Sequence, residues 1–215
     1  MLNKPKIIFI DWAKTLSETR FWQHLQDGGK EDKELFNKID KALFKSGKDL
    51  KPWMRGEVDY KNILQIISKE LDIDFKLIRK HFIKSCREMK FVNRKIPKLI
   101  KKLRSRNIKT YIATDNMDSF NYWTIPSLNL RELFDGILNS FDIKNLKRDF
   151  DKNGESLFFS GILKSEGVKP SETILIDDKE DKDSLFGKYG IDYRQVTSKR
   201  KLDKILEEIL LELAS

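Results

Sequence analysis

Short apolar segments that end at polar residues recur along this chain of 215 residues, and helical patterns separate them. The clearest are KIIFI before Asp11, IKTYIAT ending in Thr114, and TILIDD ending in Asp177 and Asp178. Short β-branched and aromatic runs bounded by polar residues are typical of buried strands in a parallel sheet. Because such strands alternate here with helices, the chain predicts an α/β fold with ligands bound beyond the carboxyl ends of the strands.

Helical periodicity extends from residue 18 to residue 92. Apolar residues recur there at helical spacing, as in Leu35, Phe36, Ile39 and Leu43. The pattern predicts helices over 33–47, 59–74 and 74–91. The sequence therefore predicts two domains: a Rossmann-like parallel-sheet core formed by residues 1–17 and 93–215, and an all-helical domain of residues 18–92 inserted into it.

The rest of the core continues the alternation of helices and strands. Helices are predicted over 96–107, 156–167, 184–190 and 201–214, and a short strand over 192–196. A polar turn is expected at 115–119, and a short helix followed by a strand is expected within 130–140.

Composition bounds the class of protein. A hydrophobic fraction of 39% favours a folded chain, although 36% of the residues are charged. Short apolar stretches and the absence of a signal-peptide pattern predict a soluble, cytoplasmic protein without membrane association. Cys86 is the single cysteine, so neither an internal disulfide nor a cysteine metal cluster can form. The net charge of +9 allows a nucleic-acid partner, but scattered lysines without interleaved aromatic residues do not favour one.

Four motifs in order resemble those of the haloacid dehalogenase-like (HAD) superfamily. FIDWAKTL resembles the first motif, usually DxDxT after an apolar strand, and YIATDN is similar to the second. LFDGILNSFDIKNLKRD, in which Lys147 follows Ser140 by seven residues, is similar to the third, and TILIDDKEDKDSLFGKYGI to the fourth. The resemblance covers almost the whole chain, and residues 18–92 match the helical cap that many members insert after the first motif.

The resemblance implies an enzyme that binds Mg²⁺ and a phosphorylated small molecule. Asp11 would be the nucleophile that forms an aspartyl-phosphate, with Thr114 and Lys147 as the other catalytic residues; Lys144 and Lys152 are alternatives for the motif lysine. The implied metal ligands are Asp11, the backbone carbonyl of Ala13, Asp178 and Asp183, and the implied substrate-binding residues are Trp12, Thr15 and Asn116. A Mg²⁺ ion bound by these ligands would offset the repulsion between the attacking carboxylate and the phosphate.

Two positions of the first motif depart from the usual pattern. Ala13 stands where most phosphatases of the superfamily have a second aspartate, and general acid–base catalysis of that kind is typically worth about 10² to 10⁴ in rate. Lys14 stands where glycine is usual. DWAKT is closest to the DWAGT motif of phosphonoacetaldehyde hydrolase, which cleaves a carbon–phosphorus bond with a cap lysine as Schiff base.

Three hypotheses follow from these departures. The favoured one is a Mg²⁺-dependent phosphatase or phosphotransferase, monomeric or homodimeric, that takes its acid from the cap, from Asp115 or from the substrate. The second is a phosphonatase-like hydrolase, and the third is a catalytically weak regulatory module that binds phosphate. Haloacid dehalogenation is less favoured because it needs no metal, whereas Asp177, Asp178 and Asp183 are suited to hold one.

Overall fold

Five parallel strands form one sheet at the centre of the protein. The computed structural model describes residues 4–45 and 50–214, and for residues 44 and 45 it describes the backbone alone. The strands are β1 (Ile7–Ile10), β2 (Lys109–Thr114), β3 (Gly136–Asn139), β4 (Thr173–Asp177) and β5 (Asp192–Gln195). Their order in the sheet is β3-β2-β1-β4-β5, and all neighbours pair in parallel. The predicted α/β fold is confirmed.

Helices follow β1 in the chain and form the cap. They are α1 (Gln23–Gln26), α2 (Lys30–Asp40), α3 (Lys51–Met54), α4 (Tyr60–Leu71) and α5 (Phe75–Arg87), with a π-helical turn (Lys41–Lys45) after α2. The carboxylates of Asp59 and Asp74 cap α4 and α5 by accepting backbone N–H groups of their first turns. The predicted helix over 33–47 is described as far as Lys45, and its last two residues lie outside the described residues.

The cap has a hydrophobic cluster that includes Trp22, Trp53 and Phe82. Met117 and Trp123, which follow β2, belong to the same cluster. The cap is therefore packed against the core through apolar side chains, and its boundaries at residues 18 and 92 remain a prediction.

The core helices pack on the two faces of the sheet. They are α6 (Ile96–Arg104), α7 (Ile125–Ser127), α8 (Leu130–Leu133), α9 (Ser140–Ile143), α10 (Ser160–Glu166), α11 (Leu185–Tyr189) and α12 (Leu202–Glu212). In the part of the chain that the structure describes, each helix is too short or too polar to cross a membrane.

The central strand β1 sets the position of the residues beyond it. Ile8 and Ile10 pack in the same cluster as side chains of α6 and α12, whereas Ile7 and Phe9 pack with side chains of α10 and α11. Burial on both faces explains why this strand is continuously apolar. The N–H of Asp11 then donates to the carbonyl of Ile176 at 2.9 Å, so the ends of β1 and β4 lie side by side.

Residues 118–127 are helical, although the sequence predicts a turn over 115–119 and no element before residue 130. They contain a π-helical turn (Phe120–Thr124) and α7. The aromatic and β-branched residues of this segment and Pro126 have low helix propensity, so the local sequence does not favour a helix. Burial of Phe120 and Trp123 stabilises this helical segment instead.

His24 and His81 form a pair inside the cap. Their rings stack with centroids 5.3 Å apart, and Nε2 of His24 lies 3.0 Å from Nδ1 of His81. A hydrogen bond between two imidazoles requires at least one neutral ring. Burial lowers the pKa of both histidines, and nearby Lys84 lowers both further.

The histidine pair is expected to destabilise the protein in acid. A lowered pKa means that the unfolded chain binds protons more readily, so stability falls as the pH drops below about 6.5. The other charged groups acting on the pair are Asp32, Lys80 and Glu88. We expect the melting temperature to fall more between pH 7.5 and 5.5 in the wild type than in His81→Gln. Equal falls in the two proteins would contradict this assignment.

Candidate active site

Four polar side chains are buried together at the carboxyl edge of the sheet. Asp11 follows β1, Thr114 ends β2, Asp177 ends β4, and Lys147 comes from the loop after α9. Each of the four is less exposed than 5% of its full surface, and Thr114 is completely buried. Charged residues are almost never so deeply buried unless they are paired.

Lys147 lies between two carboxylates. Its Nζ donates to Oδ1 of Asp11 at 2.7 Å and to Oδ2 of Asp177. The alternatives for the motif lysine lie elsewhere, since Lys144 reaches the carbonyl of Gly56 and Lys152 is exposed. The geometry therefore favours Lys147.

Burial and pairing shift the pKa values of this group. Burial raises the pKa of Asp11 to about 6, although Lys147 opposes the change. Burial also acts to raise the pKa of Asp177, but the charge and hydrogen bond of Lys147 hold it below its usual value. In turn, Asp11 and Asp177 hold the pKa of Lys147 above its usual value despite burial. Lys147 is thus a cation near neutral pH.

A third carboxylate completes a group that could hold a metal. Asp11, Asp177 and Asp178 each offer an oxygen within 4.8 Å of the others. Three negative charges against the one positive charge of Lys147 suit a hard divalent cation with oxygen ligands. Asp177 uses one oxygen on Lys147 and the other on the backbone N–H of Lys179 at 2.9 Å. Asp11 and Asp178 are therefore the carboxylates better placed to bind an ion.

Asp183, expected as a metal ligand, is not brought into this group. It is exposed in a 3-10 turn (Lys182–Ser184) and lines an open surface cleft with Arg148 and Lys179. Asp181 makes the local contact instead, because its carboxylate accepts the N–H of Phe186 at 3.2 Å in the first turn of α11. The fourth motif led to Asp183 and gave Asp181 no role.

Two buried hydroxyl groups at the same edge have no hydrogen-bond partner among the described residues. They are Oγ1 of Thr15, in the turn after β1, and Oγ1 of Thr114. An unsatisfied buried hydroxyl costs about 1–3 kcal/mol and is uncommon in native proteins. Each hydroxyl is available to donate to an acceptor oxygen of a ligand such as phosphate.

The turn that follows Asp11 is closed by backbone hydrogen bonds. Lys14 donates to the carbonyl of Ser17 at 2.7 Å, and Ser17 donates to the carbonyl of Trp12 at 2.9 Å. Ala13 is exposed and brings only a methyl group to the position of the usual second aspartate. Lys14 has φ 57°, in the left-handed region, which explains why glycine is usual at this position.

Replacing Lys14 by glycine is expected to stabilise the protein. A side chain in the left-handed region costs roughly 1–2 kcal/mol, and part of this gain is offset by the greater freedom of glycine in the unfolded chain. We expect Lys14→Gly to raise the unfolding free energy by about 0.5–1 kcal/mol in denaturant titrations. Lys14→Ala is the matched control, since it removes the same charge but keeps Cβ. An equal gain in both variants would rule out the backbone explanation.

The expected substrate contacts Trp12 and Asn116 lie in different surroundings. Trp12 is 2% exposed and packs against Phe91 and Phe120 in the main hydrophobic cluster. Trp12 therefore faces the core, whereas the carboxylate of Asp11 faces the site. Asn116 is buried, and its Oδ1 accepts the N–H of Met117 at 2.9 Å, which shapes the loop after β2.

Asp118 is a buried residue near the site to which the sequence pattern assigned no role. Its carboxylate accepts the indole N–H of Trp53 at 2.8 Å and the backbone N–H of Tyr60 at 3.0 Å. These donors are 65 and 58 residues away in sequence. Asp118 therefore fixes the cap to the loop after β2, a contact that no local motif could reveal.

Comparison with known proteins gives a consistent family and fold. The family profile described as haloacid dehalogenase-like hydrolase matches residues 5–190. A search of curated proteins gives no match.

Solved structures share the fold at low sequence identity. A HAD family enzyme, BT-2542 from Bacteroides thetaiotaomicron, in complex with magnesium and inorganic phosphate, is 17% identical, with TM-score 0.62 over 94% of this chain and 98% of that chain. L-2-haloacid dehalogenase from Xanthobacter autotrophicus with covalently bound chloropropionic acid is 11% identical, with TM-score 0.61 over 96% and 83%. A HAD-like family hydrolase from Porphyromonas gingivalis is 13% identical, with TM-score 0.63 over 91% of each chain.

Proposed function

Because this chain belongs to the haloacid dehalogenase-like hydrolases, we propose that it is a Mg²⁺-dependent phosphatase or phosphotransferase acting on a phosphorylated small molecule. The observation that carries the proposal is the buried group of Asp11, Asp177, Asp178 and Lys147 beside two unsatisfied hydroxyl groups. The complex of BT-2542 with magnesium and inorganic phosphate supports it. A cytoplasmic location and a monomeric or homodimeric state are proposed with it.

Asp11 is the proposed nucleophile. One of its carboxylate oxygens attacks phosphorus, the bond from phosphorus to the leaving oxygen breaks, and the leaving oxygen takes up a proton. Water, or the hydroxyl of an acceptor in a phosphotransferase, then attacks the aspartyl-phosphate and restores Asp11. Lys147 offsets charge on the phosphoryl oxygens while the hydroxyls of Thr15 and Thr114 donate hydrogen bonds to them.

The proposed Mg²⁺ ligands are Asp11, Asp178 and the backbone carbonyl of Ala13. When bound, the ion would offset the repulsion between the attacking carboxylate and the phosphate. Asp177 has a different role, because its carboxylate accepts a hydrogen bond from Lys147 in an ion pair and so holds the lysine in place.

The leaving oxygen needs a proton from a group other than residue 13. Asp115 is a candidate, because its charge, like that of Asp177, acts to raise the pKa of Asp11. One of its oxygens accepts the backbone N–H of Lys147 at 2.8 Å. A substrate with a good leaving group would need no such acid, so Ala13 favours substrates of that kind.

A phosphonatase is the alternative that Ala13 favours, because the motif DWAKT shares this alanine with that type. A Schiff-base lysine must be neutral, usually through burial or a neighbouring cation. Among lysines whose side chains the structure describes, only Lys147 is buried, and its two carboxylates keep it charged. The described residues therefore support the phosphatase more than the phosphonatase.

A substrate panel tests the proposal. Purified protein is incubated, with Mg²⁺ or with a chelator, with aryl and sugar phosphates, phosphonoacetaldehyde and 2-chloropropionate. Release of phosphate from monoesters only with Mg²⁺ is the expected result. Cleavage of phosphonoacetaldehyde that borohydride blocks would favour the phosphonatase, and metal-independent chloride release would overturn the proposal. Mg²⁺-dependent binding of inorganic phosphate without any turnover would favour the regulatory module.

A further inference from the structure

Residues 53–60 of the cap, here called the docking segment, make several polar contacts with the core. Gly56 shows how close the approach is, because a Cβ atom there would lie 2.6 Å from the carbonyl oxygen of Phe141 and would also collide with Nζ of Lys144. The core residues that hold the segment through hydrogen bonds are Asp118, Ser140, Lys144 and Asp149.

Arg55 contacts Asp149, which is the core partner of the docking segment nearest to Lys147 in sequence. Its Nη1 and Nη2 donate to the two carboxylate oxygens of Asp149 at 2.5 and 2.9 Å. Such paired hydrogen bonds fix the orientation of both groups as well as their distance. Because Arg55 belongs to the cap and Asp149 to the core, the pair joins the two.

Asp149 in turn holds the loop that carries Lys147. Its Oδ2 also accepts the backbone N–H of Leu146 at 2.7 Å, and its own N–H donates to the carbonyl of Leu146 at 2.9 Å. On the next residue, the backbone N–H of Lys147 donates to Asp115 at 2.8 Å. Two carboxylates therefore fix consecutive peptide groups, and from this position Nζ of Lys147 reaches Asp11.

We propose that Arg55 is a positioning residue that acts through Asp149 on Lys147, so that seating of the cap sets the position of the lysine in the active site. This inference rests on the proposed function for its kinetic consequence. Arg55 then helps to assemble the active site and does not itself bind the substrate.

Direct contact of Arg55 with the substrate is the competing explanation. The pair with Asp149 uses one N–H of each terminal nitrogen of Arg55, and a substrate anion would bind through the remaining N–H groups of the guanidinium. The two explanations differ in kinetics. Loss of a substrate contact raises KM, whereas misplacement of Lys147 lowers kcat.

Stability and activity are expected to respond differently. The side chains of Arg55 and Asp149 are 28% and 22% exposed, and an ion pair this accessible to water usually adds little to stability. A displacement of about 1 Å in a catalytic group, however, can cost about 100-fold in rate. Arg55→Ala should therefore fold normally while it loses activity.

The structural test measures deuterium uptake in peptides covering residues 144–150, with Mg²⁺ present. We expect faster uptake in Arg55→Ala and Asp149→Ala than in wild type, a smaller increase in Arg55→Lys, and no further increase in the double variant. Arg104→Ala is the matched control, because it breaks an arginine–aspartate pair of similar exposure with Asp135, between α6 and the residue before β3. Uptake in the 144–150 peptides that is unchanged in Arg55→Ala would overturn the inference.

The kinetic test uses the phosphate monoester turned over best in the substrate panel. We expect kcat to fall about 10- to 100-fold in Arg55→Ala, with KM within twofold and partial recovery in Arg55→Lys. A raised KM with unchanged kcat would overturn the inference in favour of a substrate contact. If the wild type turns over no phosphate ester, the proposed function fails, and deuterium uptake alone still decides whether Arg55 positions the loop.

Discussion

Asp11→Asn is expected to abolish turnover while leaving the fold intact. The amide keeps the shape of the side chain but is a very poor nucleophile, so no aspartyl-phosphate can form. Loss of a covalent nucleophile costs about 10⁶-fold in kcat in a well-studied hydrolase, and we expect a loss of that order. The measurement is phosphate release from the best panel substrate, with circular dichroism and melting curves to verify folding.

The control for Asp11→Asn is the same substitution at an aspartate to which the proposed function gives no role. Asp183→Asn serves this purpose, because Asp183 is exposed and lies outside the carboxylate group. Its activity and Mg²⁺ requirement should match those of the wild type. Residual turnover above about 1% in Asp11→Asn would show that another group attacks the substrate, and a lost Mg²⁺ response in Asp183→Asn would restore the metal role expected for Asp183 from sequence.

Lys147→Met is expected to cost both stability and activity. Methionine fills a similar volume but leaves Asp11 and Asp177 buried without their shared cation. Removing one partner of a buried ion pair typically costs about 3–5 kcal/mol. We expect a loss of that size in the unfolding free energy, measured by urea titration in chelator at pH 7.5.

Mg²⁺ is expected to return part of this stability, because a divalent cation bound by Asp11 and Asp178 would again offset the buried negative charge. Turnover should stay far below the wild-type level even with Mg²⁺, since the lysine that faces the phosphoryl oxygens is gone. Lys152→Met is the matched control; it removes an exposed lysine of the same region and should change stability by less than about 0.5 kcal/mol. If Lys152→Met lost activity and Lys147→Met kept it, the motif lysine would be misassigned.

The sheet and its edge could be predicted from sequence because both depend on local patterns. KIIFI, IKTYIAT and TILIDD contain β1, β2 and β4. Asp11 directly follows β1, Thr114 ends β2 and Asp177 ends β4, so the three meet at one edge. Parallel pairing makes this outcome general, because it aligns the carboxyl ends of neighbouring strands. The helical segment at 118–127 could not be predicted, because burial of Phe120 in the core and of Trp123 against the cap outweighs the low helix propensity of its residues.

The roles of individual residues within the site depend on contacts between residues that are far apart in sequence. The spacing ranked Lys147 above Lys144 and Lys152, and the structure places Lys147 beside Asp11, but a spacing cannot show that Asp177 shares the lysine. Trp12 follows the nucleophile directly and was expected to meet the substrate, yet its large apolar ring is buried in the core. Asp183 matched a sequence spacing, whereas the turn that carries it is exposed.

The sequence by itself determined the alternating α/β fold, the family resemblance and the edge where chemistry would occur, because hydrophobic periodicity and strand-terminal residues are local features. It also determined that Ala13 brings no carboxylate. Only the tertiary structure decided which carboxylates surround Lys147, which hydroxyls stay unsatisfied, and how Arg55 and Asp118 join the cap to the site. Those contacts join residues 30 to 136 positions apart, and their partners are selected by the packing of whole elements rather than by any pattern along the chain.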